Sequence, residues 1–326
     1  MTINQIFNTN SGIPVVLAPM AGVTDLPFRE VCTSLGCDFS YSEMVSAKAL
    51  SFKNKKTHKL MSYSENSMPF GIQIFGHEPH VIGNICSELC SEYGDIISLI
   101  DINMGCPAPK IVNNGDGCAL MNDVLLASKV IEYAVKASTV PVTVKFRKGW
   151  DSEHENALEF AKMAENSGAS AVAIHGRTRV QMYSGKSDWD IIAAIKSALK
   201  IPVIGNGDIT DADSAIQMLN HTKCDALMIG RAAQGNPFIF DEIKSKIKGR
   251  NYIPPTLEKR ISIAEKHLKL HEMYKSQAAF PEMRKHIAWY TKGIHGASTL
   301  RSQIFLCESA EEALELLNKF RSDYRL

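Results

Sequence analysis

The sequence predicts a (β/α)8 barrel followed by a small all-helical tail. Three observations carry that prediction. A short apolar run followed by an amphipathic stretch recurs eight times before residue 248. Several of the runs are hydrophobic throughout, as strands of a parallel sheet buried on both faces are. The eight units fill ~240 residues, the size of a closed barrel. An open doubly wound sheet is the competing architecture. It would usually carry a G-x-G-x-x-G after its first strand, and the sequence has none.

The expected strands are 14–18, 37–42, 68–75, 97–103, 140–146, 169–175, 201–205 and 224–229. Helix starts lie between them. Pro79 fits a first helical turn ahead of Val81, Ile82, Ile85 and Leu89. Ser152 with Glu155 and Thr210 with Asp213 read as capping boxes. The stretch 249–255, with Gly249, Pro254 and Pro255, breaks the pattern as a linker. Beyond it only helical stripes remain: Leu257, Ile261, Ala264 and Leu268, then Ala313, Leu314, Leu317 and Phe320 behind a Ser309–Glu312 box. The expected division is therefore a barrel over 1–248 and a helical domain over 249–326.

Composition narrows the function. Of 326 residues, 45% are apolar and 22% charged, the mix of a globular chain with a large core. Net charge is +1, so nucleic acid would need a local patch. No apolar run reaches the ~18–20 residues of a membrane span. The first Lys or Arg is Arg29, so no secretory leader is expected, and a cytoplasmic monomer is the default. The eight cysteines are dispersed without a C-x-x-C pair, which argues against a disulfide framework and against a zinc site; no metal is expected. Cys86 and Cys90 share the apolar face of Ile82, Leu89 and Tyr93 and read as core.

A barrel carries its chemistry at the carboxyl ends of its strands. Those ends hold Ala18 to Gly22, Gln73, Asp101 to Pro107, Lys145 with Arg147, His175 to Arg179, Gly205 to Asp208, and Gly230 with Arg231. The last two segments follow strands seven and eight, where barrels commonly bind phosphate through glycine N–H groups and a cation. Turn chemistry explains either alone. Lys145 ends an apolar strand, where an ammonium costs several kcal/mol without an anionic partner. A salt bridge to Asp101 would satisfy it, and so would a group that turns negative during reaction, such as the N1–C2 edge of a flavin. His175 fits a core histidine or a cofactor contact. Cys106, between Gly105 and Pro107 in a loop straight after a strand, is displayed where most free cysteines are buried. A thiol of ordinary pKa, ~8.5, is protonated at neutral pH and suits a proton donor.

These segments resemble one family. Ala18-Pro19-Met20-Ala21-Gly22-Val23-Thr24-Asp25, Ser42-Glu43-Met44, Asp101 to Pro107, Val142 to Lys145, His175 to Arg179, Asn206 to Thr210 and Met228 to Gly235 together resemble the tRNA-dihydrouridine synthases, most closely the bacterial B-type branch. The resemblance implies an FMN enzyme that reduces uridines in tRNA to 5,6-dihydrouridine. NADPH would reduce FMN, flavin N5 would deliver hydride to uracil C6, and Cys106 would protonate C5. FMN contacts carried over by position are Pro19, Met20, Ala21, Gln73, Lys145, His175, Asn206, Gly207, Asp208, Gly230 and Arg231. Asn103 and Arg177 fall where the family handles the target base and its backbone. The loop after Cys106 departs from the family's form at Asp116 and Cys118.

A uracil inside folded tRNA is shielded by stacking and must swing out to react, with a basic surface nearby for phosphates. Between Glu282 and Glu308 there is no acidic residue, while Arg284, Lys285, Lys292 and Arg301 carry charge and His286, Trp289 and Tyr290 are interleaved. An ordinary solvated helix reads the same way; the barrel motifs favour a tRNA-facing patch, with Arg284, Lys285 and Lys292 as its contacts. Three alternatives predict different measurements. Another flavin barrel would reduce a free pyrimidine or enone faster than tRNA. An RNA-binding module without flavin would be colourless. An aldolase-like barrel would trap an aldehyde on Lys145 with borohydride.

Overall fold

Residues 12–323 are described by the structure, a computed structural model. Eight parallel strands close on themselves: β1 (Val15–Leu17), β2 (Phe39–Tyr41), β3 (Phe70–Phe75), β4 (Ile100–Met104), β5 (Val142–Arg147), β6 (Ala171–His175), β7 (Val203–Asn206) and β8 (Ala226–Ile229). Closure is made by Val15 paired with Leu227 and Val16 paired with Phe39. The intervening helices are α1 (Leu26–Ser34), α2 (Ala47–Ser51), α3 (Pro79–Tyr93), α4 (Val124–Ala137), α5 (Ala157–Asn166), α6 (Trp189–Ala198), α7 (Ala212–Thr222) and α8 (Ile239–Ile247). A two-residue strand, Val45–Ser46, adds to the carboxyl end of β3 at Ile74 and Phe75.

Alternation along the strands makes two cores and the site. Val15, Leu17, Ile72, Ile74, Ile100, Ile102, Val142 and Val144 pack outward against the helices. Val16, Ala18, Phe39, Tyr41, Ala173, Ile204, Ala226 and Met228 fill the barrel interior. Every second residue of a strand faces the same side, so the positions between the outward residues of β3 to β5 are Gln73, Asp101, Asn103, Thr143, Lys145 and Arg147. They stack from the barrel's middle to its mouth. The inward halves of β4 and β5 therefore carry the site.

Two helix starts differ from expectation. Helix α5 begins at Ala157, not behind Ser152, because Glu155 bridges back to Gly149 and its carboxylate meets Lys148 at 2.6 Å. Helix α7 is capped one residue later than expected, by Asp211 and Ser214 rather than Thr210 and Asp213. Pro79 does open α3, and Ser309 accepts the Glu312 N–H at 3.3 Å.

The tail holds α9 (Leu257–Tyr274), α10 (Pro281–Tyr290), α11 (Ala297–Leu306) and α12 (Ala310–Asp323). Its apolar cluster of Ile261, Leu268, Ile287, Leu300, Ile304 and Leu317 takes in Val31 of α1 and Phe238. Helix α9 runs along α1: Lys275 meets Asp25 at 2.6 Å, Tyr274 Oη donates to Glu30 at 2.7 Å, and Lys266 donates to Ser34 at 2.9 Å. Helix α10 sits on the loop after β8, where a side chain at Gly235 would strike the Trp289 backbone at 2.3 Å. No helix among the described residues is long and apolar enough to cross a membrane.

Candidate active site

The strand ends open into one cavity of about 780 Å³, ample for a cofactor-sized ligand. Pro19, Met20, Ala21, Asn103, Cys106, Lys145, His175, Asn206, Gly207, Asp208, Gly230 and Arg231 all line it.

Its floor is a chain of amides. Asp101, fully inside the barrel, accepts from Gln73 Nε2 at 2.7 Å and Thr143 Oγ1 at 2.6 Å. Burial pushes its carboxyl up to about 6 against those donors and the Lys145 charge. Gln73 Oε1 in turn accepts from Asn103 Nδ2 at 2.9 Å. Asn103 Oδ1 then accepts the N–H groups of Gly105 at 3.1 Å and Cys106 at 2.9 Å. A buried array so completed is rigid, and it sets the backbone that presents the thiol.

Cys106 is half-buried, and burial raises its thiol above the ordinary value although the Ala108 N–H, Arg147 and Lys145 favour the thiolate. The thiol is protonated at neutral pH. Gly117, at φ +59°, leaves no room for a side chain against the Cys106 carbonyl and Cβ, and the Cys118 N–H donates to the Cys106 carbonyl at 3.1 Å. Asp116, one residue earlier, is within 2.8 Å of His77 Nδ1. The Asp116 side chain and the Cys118 backbone thus brace the loop that follows Cys106.

Lys145 makes no ion pair among the described residues; its Nζ donates to Asn206 Oδ1 at 3.4 Å. The expected alternative, a salt bridge to Asp101, is not formed, since that carboxylate is taken by Gln73 and Thr143. Burial and the Arg147 charge bring the ammonium down to about 8, with Asp101 and Cys106 opposing. Arg147 Nε donates to the Gly105 carbonyl at 2.9 Å, and its Nη1 donates to Thr178 at 3.0 Å and Met182 at 2.8 Å, tying the loops after β4 and β6 together. His175 is held neutral by burial first, then by Arg147, Lys145, Arg177 and Arg231. Arg177 Nη1 lies 3.3 Å from His175 Nε2, which makes that nitrogen the acceptor and places the ring proton on Nδ1.

After β7 the backbone turns into left-handed space, at φ +118° for Gly207 and +58° for Asp208. A Cβ at Gly207 would lie 2.8 Å from Ser187 Cβ and 2.9 Å from the His175 ring. Gly207→Ala is accordingly expected to destabilise the protein by about 3 kcal/mol, from backbone strain and overpacking together; a shift in thermal midpoint under 1 °C would contradict this packing. The Asp208 carboxylate turns away to the Arg177 guanidinium at 2.7 Å and the Ser187 N–H at 2.7 Å. Arg231, half exposed, lies over the Tyr183 ring at 4.6 Å, and Arg147 lies 5.8 Å from the same ring.

Some expected contacts move. Gln73 lies wholly beneath the cavity and supports Asn103 rather than lining the wall. Arg177, 2% exposed, is spent on Asp208, the Ser184 and Gly185 carbonyls and His175, so it shapes the loop instead of meeting substrate. In the tail, Arg284 donates to the Cys307 carbonyl and Arg301 to the Thr291 carbonyl, while Lys285 reaches the Gly22 carbonyl beside the cavity. Lys292 remains exposed. His286 is buried against Phe28 at 5.4 Å. Sequence reasoning did not assign Tyr183, Gln234 and Met44 to the cavity wall; Met44 and Gln234 lay inside the segments that carry the resemblance, and for Tyr183 the signal was an aromatic in the loop after strand six. Asp25, His271 and Glu282 bring ligating atoms together, but the Lys275 ammonium bonds both carboxylates and occupies the role of a cation.

Fold and site define a barrel enzyme class with a cationic cofactor cavity and a loop thiol. A family model described as dihydrouridine synthase matches residues 16–324. The chain is 40% identical over 291 residues to tRNA-dihydrouridine synthase B of Pseudomonas aeruginosa, covering 89% of this chain and 87% of that protein. It is 39% identical over 305 residues to a probable tRNA-dihydrouridine synthase of Rickettsia bellii, covering 93% of each. Histamine dehydrogenase from Rhizobium sp. 4-9 shares the fold, with TM-score 0.52, 14% identity, and 79% of this chain on 48% of that one. The chain belongs to the dihydrouridine synthase family.

Proposed function

We propose that this chain is a flavin-dependent tRNA-dihydrouridine synthase, with FMN as bound flavin and NADPH as the transient reductant, acting as a cytoplasmic monomer. One observation carries the reading furthest: a protonated loop thiol and an ammonium without a carboxylate partner share one cavity at the strand ends.

The cavity fits a planar anionic cofactor. Its charged lining is Lys145, Arg147 and Arg231 against the single carboxylate of Asp208, which pairs with Arg177 at 2.7 Å and lies 3.9 Å from Arg231. Pro19, Met20 and Ala21 supply an apolar edge. Lys145, His175 and Asn206 supply donors for a polar edge. Gly207, Asp208 and Gly230 offer backbone N–H groups, and Arg231 a guanidinium, for a phosphate. Bound there, FMN supplies the hydride for the C5=C6 bond of uracil. Cys106 gives its proton to C5, and Lys145 and Arg147 stabilise the thiolate left behind until solvent reprotonates it. Asn103 has one amide hydrogen left to orient the base, and Tyr183, flanked by two guanidinia, offers a face at the mouth.

We assign residues 1–248 to catalysis and 249–326 to tRNA binding. Lys292→Glu is expected to weaken tRNA binding with flavin content unchanged. Lys285→Glu is expected to lower flavin content as well, because its Nζ braces the Gly22 carbonyl. Equal flavin content in both variants would contradict the brace. Releasing the pigment from the purified protein and chromatographing it tests the cofactor: FMN is expected, and colourless protein or FAD would overturn that assignment.

A further inference from the structure

Between Glu43 and Glu65 the chain has no acidic residue and five lysines. Lys48 pairs with Glu78 at 2.9 Å. Lys53, Lys55, Lys56 and Lys59 are exposed, and none forms an ion pair among the described residues. Phe52, beside them, is 76% exposed. In a chain of net charge +1 this is a strong local surplus.

The segment is ordered by its own contacts. Leu50 and Met61 are buried. Asn54 Oδ1 caps the turn by accepting the Lys56 N–H at 3.0 Å. The Arg29 guanidinium donates to the Ser62 carbonyl, Ser64 Oγ donates to Glu30, and Tyr63 stacks on Phe70 at 6.1 Å. Binding therefore costs little backbone ordering.

Its position points at RNA. Met44 lines the cavity, and Val45–Ser46 pairs at the carboxyl end of β3, so the lysine segment leaves the barrel from the mouth. Glu30, which accepts from Ser64, also accepts from Tyr274 of the tail, which places both on one flank. In the tail Arg284, Lys285 and Arg301 are spent on carbonyls and Lys292 is exposed, whereas these four lie together free of ion pairs. We propose that Phe52, Lys53, Lys55, Lys56 and Lys59 form a second RNA-docking face, the lysines on backbone phosphates and Phe52 against an unstacked base. The proposal rests on tRNA being the substrate.

The test compares holoenzyme with a variant carrying Lys→Gln at all four positions. Unmodified tRNA affinity is measured over a salt series, with flavin content and NADPH-driven flavin reduction as controls for folding. The variant is expected to bind tRNA at least about tenfold more weakly at 0.1 M salt, with a log Kd against log salt slope shallower by about 2–3. Its kcat at saturating tRNA should be unchanged. Phe52→Ala is expected to weaken binding about threefold to tenfold with the slope retained. Unchanged affinity and slope, with tRNA still modified by the parent, would overturn the docking face and leave the function standing. Loss of parent binding to phosphatidylserine vesicles in the variant, with tRNA affinity intact, would assign the face to a membrane surface and overturn it too. A parent that neither binds nor modifies tRNA would instead refute the functional reading.

Discussion

Cys106→Ala is expected to retain FMN and its reduction by NADPH within about twofold while dihydrouridine formation falls about 10²–10⁴-fold, the range of a lost general acid. The reasoning is positional and electrostatic. Burial keeps the thiol protonated, two N–H bonds to Asn103 Oδ1 fix the loop, and Gly117 packs against the Cys106 Cβ. Cys118 is the control. It is fully buried, with its thiol pushed up to about 12 by burial, and it does not line the cavity, so its proton has no path to the base. Cys118→Ala should therefore retain activity. Stopped-flow reduction and product counting on the two variants separate the steps; undiminished product from Cys106→Ala removes the thiol from the reaction.

Lys145→Met is expected to lower FMN affinity about 10–100-fold, the worth of a charge-assisted hydrogen bond in a buried site. The same change should not lower the thermal midpoint of the apoprotein. A lysine whose pKa falls on folding, here from 10.5 to about 8, costs stability while charged. That cost is full below about 8 and is relieved as pH rises from about 8 to 10.5. Methionine keeps the chain and removes the cost. The parent apoprotein should also lose FMN affinity as pH rises through about 8, when the ammonium deprotonates beside Arg147, Asp101 and Cys106, and the variant should not. Fluorescence titration with FMN across pH 6.5–9.5, set about that value, reads both effects. A parent profile flat through 8 would show that the ammonium does not hold the cofactor.

Much of this was legible from residues in order. Apolar runs placed all eight strands, and once a barrel is assumed, strand ends alone collect Asn103, Cys106, Lys145, His175 and Asn206 at one mouth. What failed was partnership. Nothing in the sequence says that Arg177 is consumed by Asp208 and two carbonyls, or that Gln73 lies under the floor, because both depend on where non-local loops close. Tyr183 sits in an aperiodic loop, where side-chain direction has no pattern to read. Charge was legible only in part. In the acid-free stretch after Glu282, Arg284 and Arg301 serve backbone carbonyls while Lys292 stays exposed, and the exposed lysines from Lys53 to Lys59 were not singled out from the sequence. The Ser152 box is not formed because Glu155 pairs instead with Lys148 and bridges to Gly149, contacts that Ser152 and Glu155 alone do not announce.

The most direct test is a single anaerobic turnover. Holoenzyme, reduced with one equivalent of NADPH, is mixed with excess tRNA lacking dihydrouridine, and nucleosides are quantified by mass spectrometry. One dihydrouridine per flavin oxidised, formed by the parent and absent from Cys106→Ala, is the expected result. Flavin that stays reduced in the presence of tRNA, or that reoxidises without dihydrouridine, would contradict the assignment of uridine reduction to this barrel mouth.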